Sequence, residues 1–461
     1  MKTTDITIRS IVALIFIYAT TFNIYAQNTE SAYFNDEYMY RFKMNPAIGN
    51  SRGFVSFPAI GNLDIALSGT AHLKNFIYNV DGRTTTFLNP QVSTSKFLND
   101  LGSNSRLGTN LNVGILSAGF NAFGGYNTIS ISARGDVNLS LPKELFRLMK
   151  QGLQNDTYDI SDVRANASAW AEIGLGHSRD INKRLRIGAT LKILVGGGNV
   201  DAKFNKAKLN LGTDNWTAVT NATINASVKG LTYKTDTNSH TGHEYVSGAD
   251  IDGTGINGFG TAFDLGAVYR LDKDWAFSAS ILDLGFISWS NNMVASTNGT
   301  QTFETDRYSF NVDNDKPNNF SDELDKMKDQ LSALYELNDM GNRGSRTTAL
   351  AATLNLGAEY TFPLYRKLKF GALSTTRING SFTWTDFRLS ANVAPCKVFS
   401  ASAAAAYGTF GFSFGWILNV HVPGFNLFLA TDHTPGKLAK QGVPLSSNAN
   451  INFGLNIPFG H

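Results

Sequence analysis

"ALAATLNLGAEYTF", residues 349–362, decides the fold. Leu350, Ala352, Leu354, Leu356, Ala358, Tyr360 and Phe362 form one set; Ala351, Thr353, Asn355, Gly357, Glu359 and Thr361 form the other. A period of two is that of a β-strand, whose successive side chains leave opposite faces of the pleat. At up to about 14 residues the run exceeds the usual five or six of a soluble strand. The stretch alone leaves open which face meets which solvent.

The pattern recurs at Ile129–Leu139, Leu185–Val195 with Leu194 as an intruder, Phe263–Arg270, Phe410–Asn419 and Ile451–Phe459. Soluble sandwiches also alternate, apolar face inward, but a membrane-spanning barrel strand needs about 9–11 residues, and several of these runs reach that length. Short turns fall near Gly124-Gly125, Asp180–Lys183, Asp272–Asp274, Pro363–Lys367, Pro395–Lys397 and Val422–Gly424. Most gaps between them are long: 71–108, 141–165, 199–258, 290–346 and 433–448, with tight exceptions near Asn379-Gly380 and Gly408. Short periplasmic turns alternating with long extracellular loops are the habit of outer-membrane barrels. With a first strand near Leu63 and a last one ending at Phe459, the pattern predicts an all-β membrane protein, an antiparallel transmembrane β-barrel of about 14 strands. Leu350, Leu354 and Leu356 then face lipid, while Asn355 and Glu359 face a polar interior.

Two strands break phase. Leu282 and Leu284 fall out of step with Phe277 and Ile281, as a bulge would cause; Trp170 shares a parity with Glu172, as an aromatic facing the lumen would.

The chain ends agree with this reading. Lys2 and Arg9 precede the apolar run Ile11–Ala19, and Ile24-Tyr25-Ala26 precede Gln27, the order of a secretory signal peptide cleaved after Ala26. Residues 1–26 are thus expected as leader and 27–461 as one barrel domain, residues 27–60 forming a periplasmic or lumen-plugging segment. No composition break divides the 461 residues, of which 12% are aromatic, 17% charged and 43 glycine. Cys396 is the only cysteine, so no disulfide forms within the chain and no lipid anchor follows the leader. A net charge of +3, from 40 Lys+Arg and 37 Asp+Glu, comes without a basic patch, which excludes nucleic-acid binding.

Helical spacing occurs twice in the long gaps: Leu145, Leu148 and Met149 within Pro142–Met149, and Leu324, Met327, Leu331, Leu334 and Tyr335 between Asp322 and Leu337. These short loop helices would pack at the barrel mouth or form a lid or docking surface.

Three motifs suggest chemistry and fail on context. Gly411-Phe412-Ser413-Phe414-Gly415 matches a nucleophile elbow, but no helix follows the serine. Gly253-Thr254-Gly255-Ile256-Asn257-Gly258 matches a dinucleotide fingerprint but leads into a strand, and Asp250 and Asp252 lack the rest of a calcium loop. His240, His243 and Asp432-His433 offer no convergent ligand set. No catalytic residue, metal or cofactor is expected, and the chain reads as a non-enzyme.

Met44-Asn45-Pro46-Ala47 resembles the "NPA" start of FadL-like long-chain fatty acid transporters and of the PorV-like barrels of the type IX secretion system. "LPKELFRLMKQG" (141–152), "NASAWAEIGLGHSRDINKRLRIGATLKILVG" (166–196), "GFGTAFDLGAVYRLDKDWAFSASILDLGFISW" (258–289) and "NFGLNIPFG" (452–460) resemble the DUF5723 family of Bacteroidota outer-membrane proteins. In FadL-like barrels an N-terminal segment plugs the lumen and hydrophobic substrates leave sideways through the wall. The resemblance therefore implies that Asn45, Pro46 and Ala47 enter and block the lumen. The loop 199–248, rich in Asn, Thr and Lys, departs from that family in showing no apolar groove.

Two functions are expected from these readings. One is binding or transport of a small, hydrophobic or other, molecule across the outer membrane, with Arg134, Asp136, Glu172, Arg186, Lys192, Asp264 and Glu359 as lumen-facing charges. The other is a PorV-like role in handling a secreted or surface protein, resting on the large loops. Outer-membrane lipid is the surrounding partner in both.

Overall fold

The computed structural model describes residues 29–152, 156–211, 215–238, 242–297, 299–304, 332–434 and 448–460. The expected leader lies outside them. The wall is a closed, 14-stranded antiparallel barrel. Its first strand, β1, comes in two pieces, Gly53–Ser56 and Asn62–Gly69. There follow β2 (Asn104–Ala122), β3 (Gly125–Pro142), β4 (Arg164–Asp180), β5 (Leu185–Leu211), β6 (Gly258–Arg270) and β7 (Trp275–Trp289). Strand β8 is again split, Arg346–Ala349 and Ala352–Thr361. The wall continues through β9 (Leu368–Ile378), β10 (Trp384–Cys396), β11 (Phe399–Gly408), β12 (Gly411–Val422), β13 (Phe425–Thr431) and β14 (Ala449–Phe459). Each strand pairs with the next, and β14 pairs back onto β1 with Gly53 opposite Phe459 and Leu63 opposite Phe453. Closure leaves no edge, so every backbone group in the wall finds a partner where lipid offers none.

The opening stretch settles which face is which. Leu354 and Leu356 are 37% and 51% exposed, while Asn355 between them is 3% exposed. The apolar face points out and the polar face in, the reverse of a soluble barrel. The six predicted short turns all lie at one end of the wall, beside Phe459. The two-residue turn between β2 and β3 holds Phe123 and Gly124 at φ 56° and 73°, the left-handed pair that a type I′ hairpin turn needs.

The structure corrects the sequence reading in four places. The wall begins at Gly53 rather than near Leu63, because β1 is interrupted at 57–61, where Pro58 cannot donate and Ala59 adopts φ 62°. Residues 199–211, expected as loop, continue β5 to 27 residues and pair with a strand at Trp216–Val228. These residues alternate, Val200, Ala202 and Phe204 and then Ala207, Leu209 and Leu211, but the phase slips at Asn205, where the register shifts. Leu350 does not face lipid: β8 breaks at 350–351 and Leu350 packs on an interior cluster of Trp170, Leu194, Ala262, Ile287 and Trp289.

The fourth correction concerns a helix. Helix α1 (Thr94–Asn99) and helix α2 (Lys143–Gln151) share an aromatic core over the β2–β3 rim. In α2 the buried residue is Phe146, 4% exposed, whereas Met149 is 39% exposed. Phe146 meets Phe76, Phe87 and Phe97, rings that the strand-oriented reading left out. The second expected helix lies outside the described residues as far as Leu331.

Both breaks of phase have their cause. The β6–β7 register shifts between Phe263 and Leu265, and Asp283 bulges at φ 57°. Trp170 faces the lumen and is 6% exposed.

Candidate functional site

Residues 29–50 run inside the barrel, from the β13 end down to the short-turn end, where the chain joins β1. Single 3₁₀ turns at Glu30–Ala32 and Arg41–Lys43 keep the segment compact. Tyr33, Phe34, Tyr38, Met39, Tyr40, Phe42 and Met44 bury themselves against the lumenal Phe54, Leu373, Ile417 and Phe428.

Asn45-Pro46-Ala47 is the seat of this segment. The Asn45 side-chain oxygen accepts the Ala47 N–H at 2.9 Å, an Asx turn that Pro46 pre-sets. Asn45 Nδ2 donates to Tyr33 Oη at 3.1 Å and to the backbone oxygens of Ala279 and Ala267 at 3.3 and 3.4 Å. The Met44 carbonyl accepts from Ser280 Oγ at 2.7 Å and Asn355 Nδ2 at 2.9 Å. Glycines make the approach possible: a Cβ on Gly188 would fall on the Pro46 carbonyl, and one on Gly266 on the Asn45 side-chain oxygen.

The upper end is tied by charge. Asp432 accepts the N–H groups of Glu30 and Ser31, each at 2.7 Å. Arg388 donates to Ser31 Oγ at 2.9 Å and pairs with Asp432 and Asp386, both at 3.3 Å. Hydrogen bonds to a charged group contribute about 1.5–3 kcal/mol. Asp432→Ala is therefore expected to raise amide exchange at Glu30 and Ser31 about 10- to 100-fold, with exchange at Met44–Ala47 unchanged. Hydrogen-exchange mass spectrometry of both variants reads this directly.

The sequence-selected charges separate into groups. Arg134, Glu172, Lys192 and Asp264 converge in mid-wall, together with Asp283, which the sequence reading did not select. Arg134 Nη1 lies 2.9 Å from both Glu172 and Asp283; Lys192 Nζ lies 2.8 Å from Asp264 and 2.6 Å from Asp283. The Asp283 N–H donates to Asp264 Oδ1 at 2.7 Å, so the bulge itself is part of the cluster. The Arg134 guanidinium covers the Trp170 ring at 5.2 Å. From the inner segment, Lys43 donates to Ser132 Oγ at 3.3 Å and interacts electrostatically with Glu172. Three carboxylates thus face three cations, one of them supplied by the inner segment.

The other three stand apart. Asp136 takes both its contacts with Arg377 at 3.2 Å. Arg186 lies low in the barrel, 3.3 Å from Asp180. Glu359 pairs at 3.0 Å with Lys369, which also reaches Asp36 of the inner segment at 2.7 Å. Arg186, Glu359 and Lys369 border a cavity of about 190 Å³ beneath the segment. Above it, Glu30, Asn112, Arg134, Asp283, Arg377 and Trp384 border one of about 30 Å³. Arg377, Arg388 and Lys369 were missed, although Lys369 between Leu368 and Phe370 and Arg388 between Phe387 and Leu389 carry the same inward signal; Arg377, preceded by Ser374, Thr375 and Thr376, carries none.

Ser413 is buried in mid-strand on β12, and 253–257 form a loop before β6. Among the described residues no group of His, Cys, Asp and Glu is arranged to hold a metal ion.

Three solved structures illustrate what the chain is similar to. The toluene transporter TbuX of Ralstonia pickettii aligns at 9% identity over 91% of this chain and 92% of its own, with a TM-score of 0.40. The P. putida toluene transporter TodX aligns at 10% identity over 90% and 93%, TM-score 0.40. A Pseudomonas aeruginosa FadL homologue aligns at 10% identity over 95% and 99%, TM-score 0.38. No curated protein sequence matches the chain. The model of a family of unknown function, DUF5723, matches residues 46–432, from the seat of the inner segment to the Asp432 tie; the chain belongs to that family.

Proposed function

We propose that this chain sits in the outer membrane and carries a small molecule through its lumen, with residues 29–50 as the gate and Asn45, Pro46 and Ala47 as its fixed seat. The observation that carries the reading is the way the lumen is closed: by the chain's own segment, seated at one end through an Asx turn and tied at the other through Asp432 and Arg388. A barrel with a purely structural role could fill its bore with wall side chains, as small barrels do. Here wall glycines instead leave space for a separate segment. Gating in the intact chain involves the charged upper end, because the Asn45 seat holds the lower end and apolar burial holds the stretch between.

A hydrophobic cargo would need the interior cluster around Trp289, beside the β8 interruption, where Leu194 and Ala262 are fully buried and Trp289 is 1% exposed. A polar cargo would need the cavity bordered by Asn112 and Arg134.

The test is native mass spectrometry of the mature protein gently extracted from its own outer membrane. A reproducible small-molecule adduct is the expected result. A stoichiometric protein companion without any such adduct, together with unchanged solute uptake in cells lacking the gene, would overturn transport in favour of a protein-handling role.

A further inference from the structure

We infer that the cavity beneath the inner segment is a binding site for a small organic carboxylate, whose charge is taken by Arg186 and Arg270; the site stands on its own geometry and does not require the lumen to conduct. The inward faces of neighbouring strands bring its charges together. Asp180 on β4 lies opposite Arg186 on β5, and Arg186 opposite Val268 on β6. Arg270, two residues further along that face, lies opposite Ala276 on β7, which in turn lies opposite Glu359 on β8. One Asp180 oxygen is 3.2 Å from Arg270 Nη1 and the other 3.3 Å from Arg186 Nη1, so two guanidinium groups share a single carboxylate. On the far side of the cavity the charges cancel: Asp36 meets Arg41 at 2.9 Å and Lys369 at 2.7 Å, and Lys369 reaches Glu359 at 3.0 Å. Among the described residues that border the cavity, with Asp180 beside them, three carboxylates therefore meet four cations, and the positive charge left over sits at the arginine pair. The turns beside it tilt the same way, with Lys183, Arg184, Lys273, Arg366 and Lys367 against Asp272 and Asp274, so the field at that mouth draws anions and repels cations.

Arg270 has the valence to use that charge. Of its three side-chain nitrogens, Nη1 alone engages a partner among the described residues, and the side chain is 47% exposed. A guanidinium presents a planar fork that matches both oxygens of a carboxylate. Because the Asp180 side chain is 50% exposed as well, the anion is met at the water-facing edge, where it keeps much of its hydration; the desolvation cost that opposes an ion in a closed site is largely avoided. Away from the charges the cavity is apolar on one side, where Ile48, Val268 and Ala276, each half-buried, border it. At about 190 Å³ it exceeds the roughly 150 Å³ that takes up benzene in a protein interior, so an aromatic or short aliphatic body fits behind the carboxylate. Gly49 brings the inner segment to the same spot: a Cβ there would fall on Arg186 Nη2, so the bound carboxylate lies against the lower end of the gate.

The experiment is saturation-transfer NMR on the full-length mature protein in phosphatidylcholine nanodiscs, with benzoate, benzamide and benzamidinium as probes that share one planar frame and differ in charge: negative, neutral and positive. Benzoate is expected to bind in preference to the other two. Its affinity should fall about tenfold on Arg270→Gln, which removes the surplus charge and the fork. It should rise about two- to fivefold on Asp180→Asn, which releases both guanidinium groups from their shared partner. Both side chains are about half exposed, so neither change costs the barrel its fold, and effects of opposite sign cannot come from a common structural loss. Benzamide or benzamidinium binding as well as benzoate, a benzoate affinity that fails to move in opposite directions on the two substitutions, displacement of benzoate by an equal concentration of inorganic phosphate, or no benzoate binding at all would overturn the proposal.

Discussion

Deletion of residues 29–50 is expected to turn a closed barrel into a conducting one. Every wall strand lies beyond Gly53, so the sheet still closes from β14 onto β1 without the segment. In planar bilayers the ion conductance should rise at least about tenfold over the intact chain, since fourteen strands lie between the small barrels that side chains fill and the porins that hold a water channel. In the intact chain the segment stays in place because seven apolar side chains, Tyr33, Phe34, Tyr38, Met39, Tyr40, Phe42 and Met44, are between 1% and 6% exposed. Each would return to water at about 1.5–3 kcal/mol. Gly266→Leu should produce an intermediate conductance, because it forces the Asn45 seat away from the wall while the aromatic cluster still holds. Equal conductance of wild type and deletion would mean that the segment does not occupy the lumen in a membrane.

The wall was legible because lipid imposes one requirement on every strand. Leu354 and Leu356 must be apolar whatever the cargo, and Asn355 between them is free to be polar, so parity alone reports the face. The same parity sets Lys192, Asp264 and Glu172 opposite the lipid-facing side chains of their strands, and all three are buried. It fails where the phase slips: residues 199–211 pair as strand and alternate in two runs, Val200–Phe204 and Ala207–Leu211, but the bulge at Asn205 breaks them into pieces too short to read as a continuation of β5. It also fails at single irregularities. Asp283 was overlooked although Leu282 and Leu284 marked the bulge beside it, since a phase break says that a residue turns but not toward which partner. Phe146 was passed over for Met149 because helical spacing fits several faces, and only the rings of Phe76, Phe87 and Phe97, brought from another loop, choose among them. The inner segment's path, finally, depends on wall glycines at 188 and 266 whose sequence signal is no different from that of any strand glycine.

Lys192→Met is expected to destabilise the barrel by about 3–5 kcal/mol, the range for removing one partner of a buried ion pair. Lys192 is 6% exposed and bridges Asp264 and Asp283; its loss leaves three carboxylates facing Arg134 and the more distant Lys43. Methionine keeps much of the stem, so the change isolates charge from packing. Adding Asp264→Asn restores the count to two carboxylates against two cations, and the double variant should regain more than half of the loss. Urea titration of the folded barrel in lipid vesicles measures both. A double variant no better than the single would mean that the lysine stem, rather than the charge balance, holds β5 to β6 and β7. Recovery would carry a consequence for the gate as well: a cluster that tolerates loss of charge only in matched pairs must also register the departure of Lys43, so the wall opposes withdrawal of the inner segment through Glu172, some distance from the Asn45 seat.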